Sequence, residues 1–136
     1  MIRLLPSGFD TPIVIIDPEG VPDSAAVRRL DAFTVVEPDG TIRQRIYLNR
    51  ESLVVREAAT GSGFYQSVLA AIIVHEAAHL CGGSEAEARQ AESEYFADLV
   101  RRRLVDLADG ERYLALLRER ESGEHLIRHD RTPQGP

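Results

Sequence analysis

Two histidines, His75 and His79, stand four residues apart in V-H-E-A-A-H-L-C, residues 74–81, and Glu76 follows the first of them. On an α-helix four residues make slightly more than one turn, so both imidazoles leave the same face and their ring nitrogens can meet at one point. Two such nitrogens supply half of a tetrahedral zinc shell. A carboxylate beside the first histidine can serve as general base towards a water activated by the metal. One zinc ion held by His75 and His79, with Glu76 as the catalytic base, is the expectation.

A catalytic zinc takes three protein ligands and keeps one position open. Glu85, Glu92 and Glu94 compete for the third place. Glu94 is the expected ligand, because Asp98 lies one helical turn on, where its carboxylate can accept the N–H of a ligand histidine and fix the tautomer. Ala91 and Ala97 flank that face and would allow a close helix approach, although Gln90 and Arg101 on the same side suit a solvated face. Glu92 sits nearer the middle of the apolar arc Ala88, Phe96 and Leu99, where an ionised carboxylate needs a partner. Glu85 completes the spacing H-E-x-x-H-x-x-G-x-x-E, yet an acidic residue in the first turn of a helix is favoured without any metal.

The elements that must position these residues read as an α+β chain. Pro12–Asp17 is a short β-branched run, expected as a buried strand, and Val21–Leu30 a helix. Ala32–Glu37 and Thr41–Leu48 flank Pro38-Asp39-Gly40 and form an expected hairpin, the second strand lying near the sheet edge with Arg43 and Arg45 on a solvated side. Such an edge could pair with an extended substrate. Asn49 is expected to cap a helix over Glu51–Ala59.

Phe64–Cys81 is the helix of the histidines, apolar on every face from Val68 to Val74 and therefore buried all round. Gly82-Gly83 stops it. Ser84-Glu85-Ala86-Glu87 is a capping box that starts a helix running to about Leu107. Asp109-Gly110 punctuates, and Glu111–Glu121 forms a last amphipathic helix.

The 136 residues make one domain, expected over 1–122 with a flexible tail over 123–136. A net charge of −6 argues against a nucleic-acid surface. No apolar run reaches the roughly 20 residues of a membrane span. The single cysteine, Cys81, cannot form an internal disulfide. The N-terminal M-I-R-L-L-P lacks the form of a secretory signal, so the chain reads as cytoplasmic as written, or secreted if it is an excised mature domain.

On H75-E76-A77-A78-H79 the chain resembles the zincin metallopeptidases, and E94-Y95-F96-A97-D98 resembles the E-x-x-A-D signature of their gluzincin branch. The resemblance implies a small, mainly antiparallel sheet of about three strands packed on the histidine helix and a following glutamate helix. It also implies zinc on His75, His79 and Glu94, Glu76 as base, Asp98 behind a histidine, and a peptide or protein substrate. The metzincin branch fits less well: Glu85 stands where its third histidine would be, and the only methionine is Met1. Peptidases of the ImmA/IrrE type carry a glutamate followed by F-A four residues on, which would choose Glu92. Tyr95, Tyr113 and His125 are candidate oxyanion donors, and His125 with His129 repeats the four-residue spacing without the glutamate. The reading from another class is a zinc-binding regulatory or interaction module, a latent or non-turnover zincin.

Overall fold

The computed structural model describes residues 5–6, 8–21, 24–119 and 126–128. The class is α+β. Four strands, β1 (Ile13–Ile16), β2 (Ala32–Val36), β3 (Ile46–Asn49) and β4 (Leu126–Arg128), form one sheet in the order β1-β3-β2-β4. Five helices accompany it: α1 (Ser24–Val27), α2 (Leu53–Ala59), α3 (Gly63–Leu80), α4 (Glu85–Arg101) and α5 (Leu107–Glu119).

The sheet is mixed, which corrects the expectation of a mainly antiparallel one. β2 and β3 run antiparallel, as the turn between them requires, but β1 pairs with β3 and β4 pairs with β2 in parallel. The segment between β1 and β2 carries the single 3-10 turn Pro18–Gly20 and α1, long enough for β3 to slot in between the two strands.

That slot also overturns the edge-strand expectation. β3 is hydrogen-bonded on both sides, so it has no open edge for a substrate backbone. Nor does the expected strand run unbroken from Thr41 to Leu48. At the turn, Asp39 accepts from both the Thr41 N–H (3.0 Å) and its hydroxyl (2.6 Å), bonds that hold the Asp39 carboxyl below its usual range. Gly40 takes the positive φ of 89° that the turn needs. Val36 then bridges Ile42, with the Arg43 N–H donating to the Val35 carbonyl (2.8 Å), but the register resumes at Phe33 opposite Tyr47, which leaves Gln44 and Arg45 bulged out of the ladder. Arg43 is drawn back over the sheet, donating to Glu37 (2.6 Å) and to the Tyr47 hydroxyl (3.0 Å).

Both sheet faces are covered. Ala32, Ile46 and Leu48 join the main core with Leu69, Ile72 and Ile73 of α3. On the other face Phe33 stacks on Tyr47 at 5.3 Å between ring centroids, closed over by Val27 and Val35. Asn49 is not the expected helix cap. Its side chain donates to the Leu30 (3.0 Å) and Val27 (3.3 Å) carbonyls and accepts from Glu51 N–H, pinning the sheet to the α1 turn, while Ser52 caps α2.

Helix α3 and the start of α4 follow the sequence closely, although α4 ends at Arg101 and not near Leu107. α3 is buried from Ser67 to Ile73 and is capped by Ser62. Gly82, at φ 91°, turns the chain, and a side chain at Gly83 would stand 2.9 Å from the Ala78 carbonyl, which already accepts the Gly83 N–H. The Ser84–Glu87 capping box is fully formed and opens α4.

α5 departs from expectation. It begins at Leu107 and runs through Gly110 instead of stopping there. A Cβ on Gly110 would collide with Val100 Cγ2, so the glycine serves the close packing of α4 on α5 and not a chain break. Of the expected tail, Leu126–Arg128 belongs to the sheet as β4. The remaining residues after Glu119, with His125 and His129, lie outside the described residues. Among the described residues no helix is long and apolar enough to cross a membrane.

Candidate metal centre

α3 delivers His75 and His79 from one face, one turn apart, and α4 returns over them after the short Gly82-Gly83 turn. His75, Glu76 and His79 are buried, at 1%, 0% and 4% exposure. The chain must therefore satisfy two imidazoles and a carboxylate in a dry space.

It does so by ordering the far side of each imidazole. His79 Nδ1 lies 3.0 Å from the Gly83 carbonyl, which can only accept, so Nδ1 carries the proton. His75 Nδ1 lies 2.8 Å from Glu92 Oε1, and Glu92 Oε2 accepts the Tyr113 hydroxyl. With both Nδ1 atoms donating, the two Nε2 atoms turn a lone pair inwards. What they face is a carboxylate: Glu85 Oε1 stands 2.9 Å from His79 Nε2 and 3.3 Å from His75 Nε2.

Ligand atoms of His75, His79 and Glu85 all lie within 4.8 Å of one another. Three acceptors converging in a buried space repel unless a positive charge sits among them, either an extra proton on a ring or a metal ion. The spacing suits a metal: bonds of about 2.0–2.1 Å to a tetrahedral zinc set its ligands roughly 3.3–3.5 Å apart. Arg89, one turn after Glu85, holds that carboxylate from behind with Nε 3.2 Å from Oε2.

Glu76 supplies a second observation in the same direction. Both its carboxylate oxygens are buried and have no hydrogen-bond partner among the described residues. Burial first, then the negative charges of Glu85 and Glu92, push its carboxyl well above the ordinary range. A cation among these groups would reverse that electrostatic balance and let Glu76 ionise. The donor set, two imidazoles and one carboxylate, is that of zinc sites with an open position, so the residues fit the ion.

The structure brings Glu85, and not the expected Glu94, together with the two histidines. Glu94 is exposed and accepts from Gln90 at 2.9 Å, and Asp98 pairs with Arg101 (2.6 Å) and Arg102 (3.5 Å). The physical reason is helical phase: Glu94 lies nine residues after Glu85, about 900° at 100° per residue, and so on the opposite side of α4. The carboxylate that stands against a histidine Nδ1 is that of Glu92, and not the expected Asp98. Signals for both residues were present. Glu85 closes a ligand spacing across a double-glycine turn, and Glu92 shares the buried arc of Ala88, Phe96 and Leu99.

Of the oxyanion candidates, Tyr113 is committed to Glu92. Tyr95 is half-buried, and its phenol, raised chiefly by burial, is influenced by Arg102 and Asp98 at the far end of α4. Comparison with family models, with curated proteins and with solved structures returns no match, so the geometry alone carries the functional reading.

Proposed function

We propose that this chain is a zinc-dependent peptide hydrolase of zincin type, with His75, His79 and Glu85 holding the metal and Glu76 as general base. The observation that carries the reading is the convergence of three acceptor atoms beside a buried, unpartnered Glu76 carboxylate. Zinc bound there would lower the pKa of water and polarise a carbonyl.

The chain's own residues do the rest. Glu76 takes one proton from the attacking water as its oxygen bonds to the carbonyl carbon, then gives that proton to the amine nitrogen as the C–N bond breaks. Glu92 and the Gly83 carbonyl keep both rings in the tautomer that directs Nε2 inwards. The buried walls of α3 exclude bulk water and fix the rotamers of both histidines.

The near-complete burial of His75 and Glu76 favours a second reading, a zinc-binding module without turnover in which the metal clamps α3 to α4. Protein purified without added zinc, assayed for metal and against a broad peptide library, separates the two. Hydrolysis requires about one zinc per chain and cleavage that falls about 10²–10⁴-fold in Glu76→Gln. Zinc retained equally by wild type and Glu76→Gln, with no cleavage by either, selects the clamp. Wild-type cleavage rates in Glu76→Gln would overturn the general-base role.

A further inference from the structure

The chain from His75 through Glu92 does not end on α4. Tyr113, on α5, is 2% exposed and donates its hydroxyl to Glu92 Oε2, while His75 Nδ1 occupies Oε1. Its ring lies against Phe96, with centroids 4.2 Å apart. Helix α5 is brought close by Gly110 against Val100. Three helices thus meet at one buried carboxylate.

From this junction we infer that Tyr113 is a positioning residue for the metal centre, acting through Glu92 on His75, so that docking of α5 and occupation of the site favour each other. The inference rests on the metal reading above and adds to it a role for an element outside the ligand-bearing pair.

Glu92 is 1% exposed, and its two oxygens have one donor each, His75 N–H and the Tyr113 hydroxyl. Losing the tyrosine donor leaves one oxygen bare and weakens the carboxylate's hold on the His75 N–H. The imidazole then loses its fixed tautomer and orientation, which for a ligand's hydrogen-bonding partner costs about 10–100-fold in metal affinity. Because coupling is reciprocal, zinc must in turn strengthen the docking of α5 by the same factor.

Tyr113→Phe is the direct test, because it deletes the hydroxyl and keeps the ring on Phe96. Three measurements accompany it on the full chain. Zinc affinity by competition with a chromophoric chelator should fall about 10–100-fold. Nitrogen NMR of the His75 ring in chelator-treated protein should show a single Nδ1–H tautomer in wild type and a mixture in the variant, a change that a merely structural role would not produce. Amide exchange of α5 should slow on adding zinc to wild type, and less so in Tyr113→Phe.

Glu92→Gln guards against misfolding of the tyrosine variant. It keeps the side-chain shape and should show the same loss of affinity and of tautomer. Equal zinc affinity and an unchanged His75 signal in both variants would overturn the inference while leaving the metal reading intact. Failure of the wild type to bind zinc at all would overturn the metal reading and this inference with it.

Discussion

The two sides of α4 carry the same kinds of residue to opposite ends. Facing α3 are Glu85, Ala88, Glu92, Phe96 and Leu99. Facing outwards are Gln90, Glu94, Asp98 and Arg101. Each side has two acidic groups about one or two turns apart. Inside, Glu85 and Glu92 meet imidazoles and a tyrosine hydroxyl; outside, Glu94 and Asp98 meet an amide and two arginines in water. A motif of residue types does not say which side it lies on, whereas the helical phase relative to the apolar arc does.

The largest separation between the two sides is expected in stability. Phe96→Ala removes a fully buried ring from the junction of α3, α4 and α5 and should cost about 3–5 kcal/mol in chemical denaturation. Asp98→Ala on the outer side should stay within about 0.5 kcal/mol. Similar costs for both would dissolve the comparison.

Metal affinity comes next. Glu85→Gln should weaken zinc at least about 100-fold, as loss of a ligand outweighs loss of a ligand's partner, and Glu94→Gln should leave it unchanged within about twofold. Chelator competition on the two variants reads this directly, and the reverse ranking would restore Glu94 as the ligand.

A pH experiment sharpens the account of the inner side. In the metal-free fold burial first, then the charges of Glu85 and Glu92, raise the Glu76 pKa above its unfolded value, so between the two values the folded state binds more protons than the unfolded one. Stability of chelator-treated protein should therefore fall as pH rises above about 4.5, until the folded-state pKa is passed. Glu76→Gln removes that dependence and should be the more stable of the two at pH 8, yet not at pH 4. Thermal melts across the range decide the sign.

The mildest test concerns how α4 is aimed. Ser84→Ala deletes one half of the capping box and should cost about 1 kcal/mol, with a small loss of zinc affinity because Glu85 is the first residue of the helix. A loss of affinity as large as that of Glu85→Gln would mean that the cap, and not the ligand, governs the site.

Much of α3 and its surroundings was legible in the sequence. Its apolar run, the double-glycine stop and the Ser84–Glu87 box are local signals, and each is met in the structure within a residue or so. Helix α4 is legible in phase more than in motif. The E-x-x-A-D residue types point to Glu94 and Asp98, while Gln90 and Arg101 mark that face as solvated. The strand order was not legible. Parallel pairing of Ile13–Ile16 with Ile46–Asn49 depends on contacts distant in sequence, and a bulge at Gln44 and Arg45 interrupts what alternation presents as one continuous strand. Gly110 illustrates a different gap: glycine before a helix and glycine beneath a neighbouring valine look alike until the second helix is in place.

The Gly82-Gly83 turn has a kinetic consequence. Because it folds α4 straight back, all three candidate ligands fall within residues 75–85. Loops of about ten residues close in roughly 10–100 ns, and their entropic cost is low. The ligand set can thus assemble as soon as this stretch exists, before α5 or β4 has been synthesised. A metal captured at that moment would hold the α3–α4 hairpin as a nucleus on which the later segments, Tyr113 among them, condense.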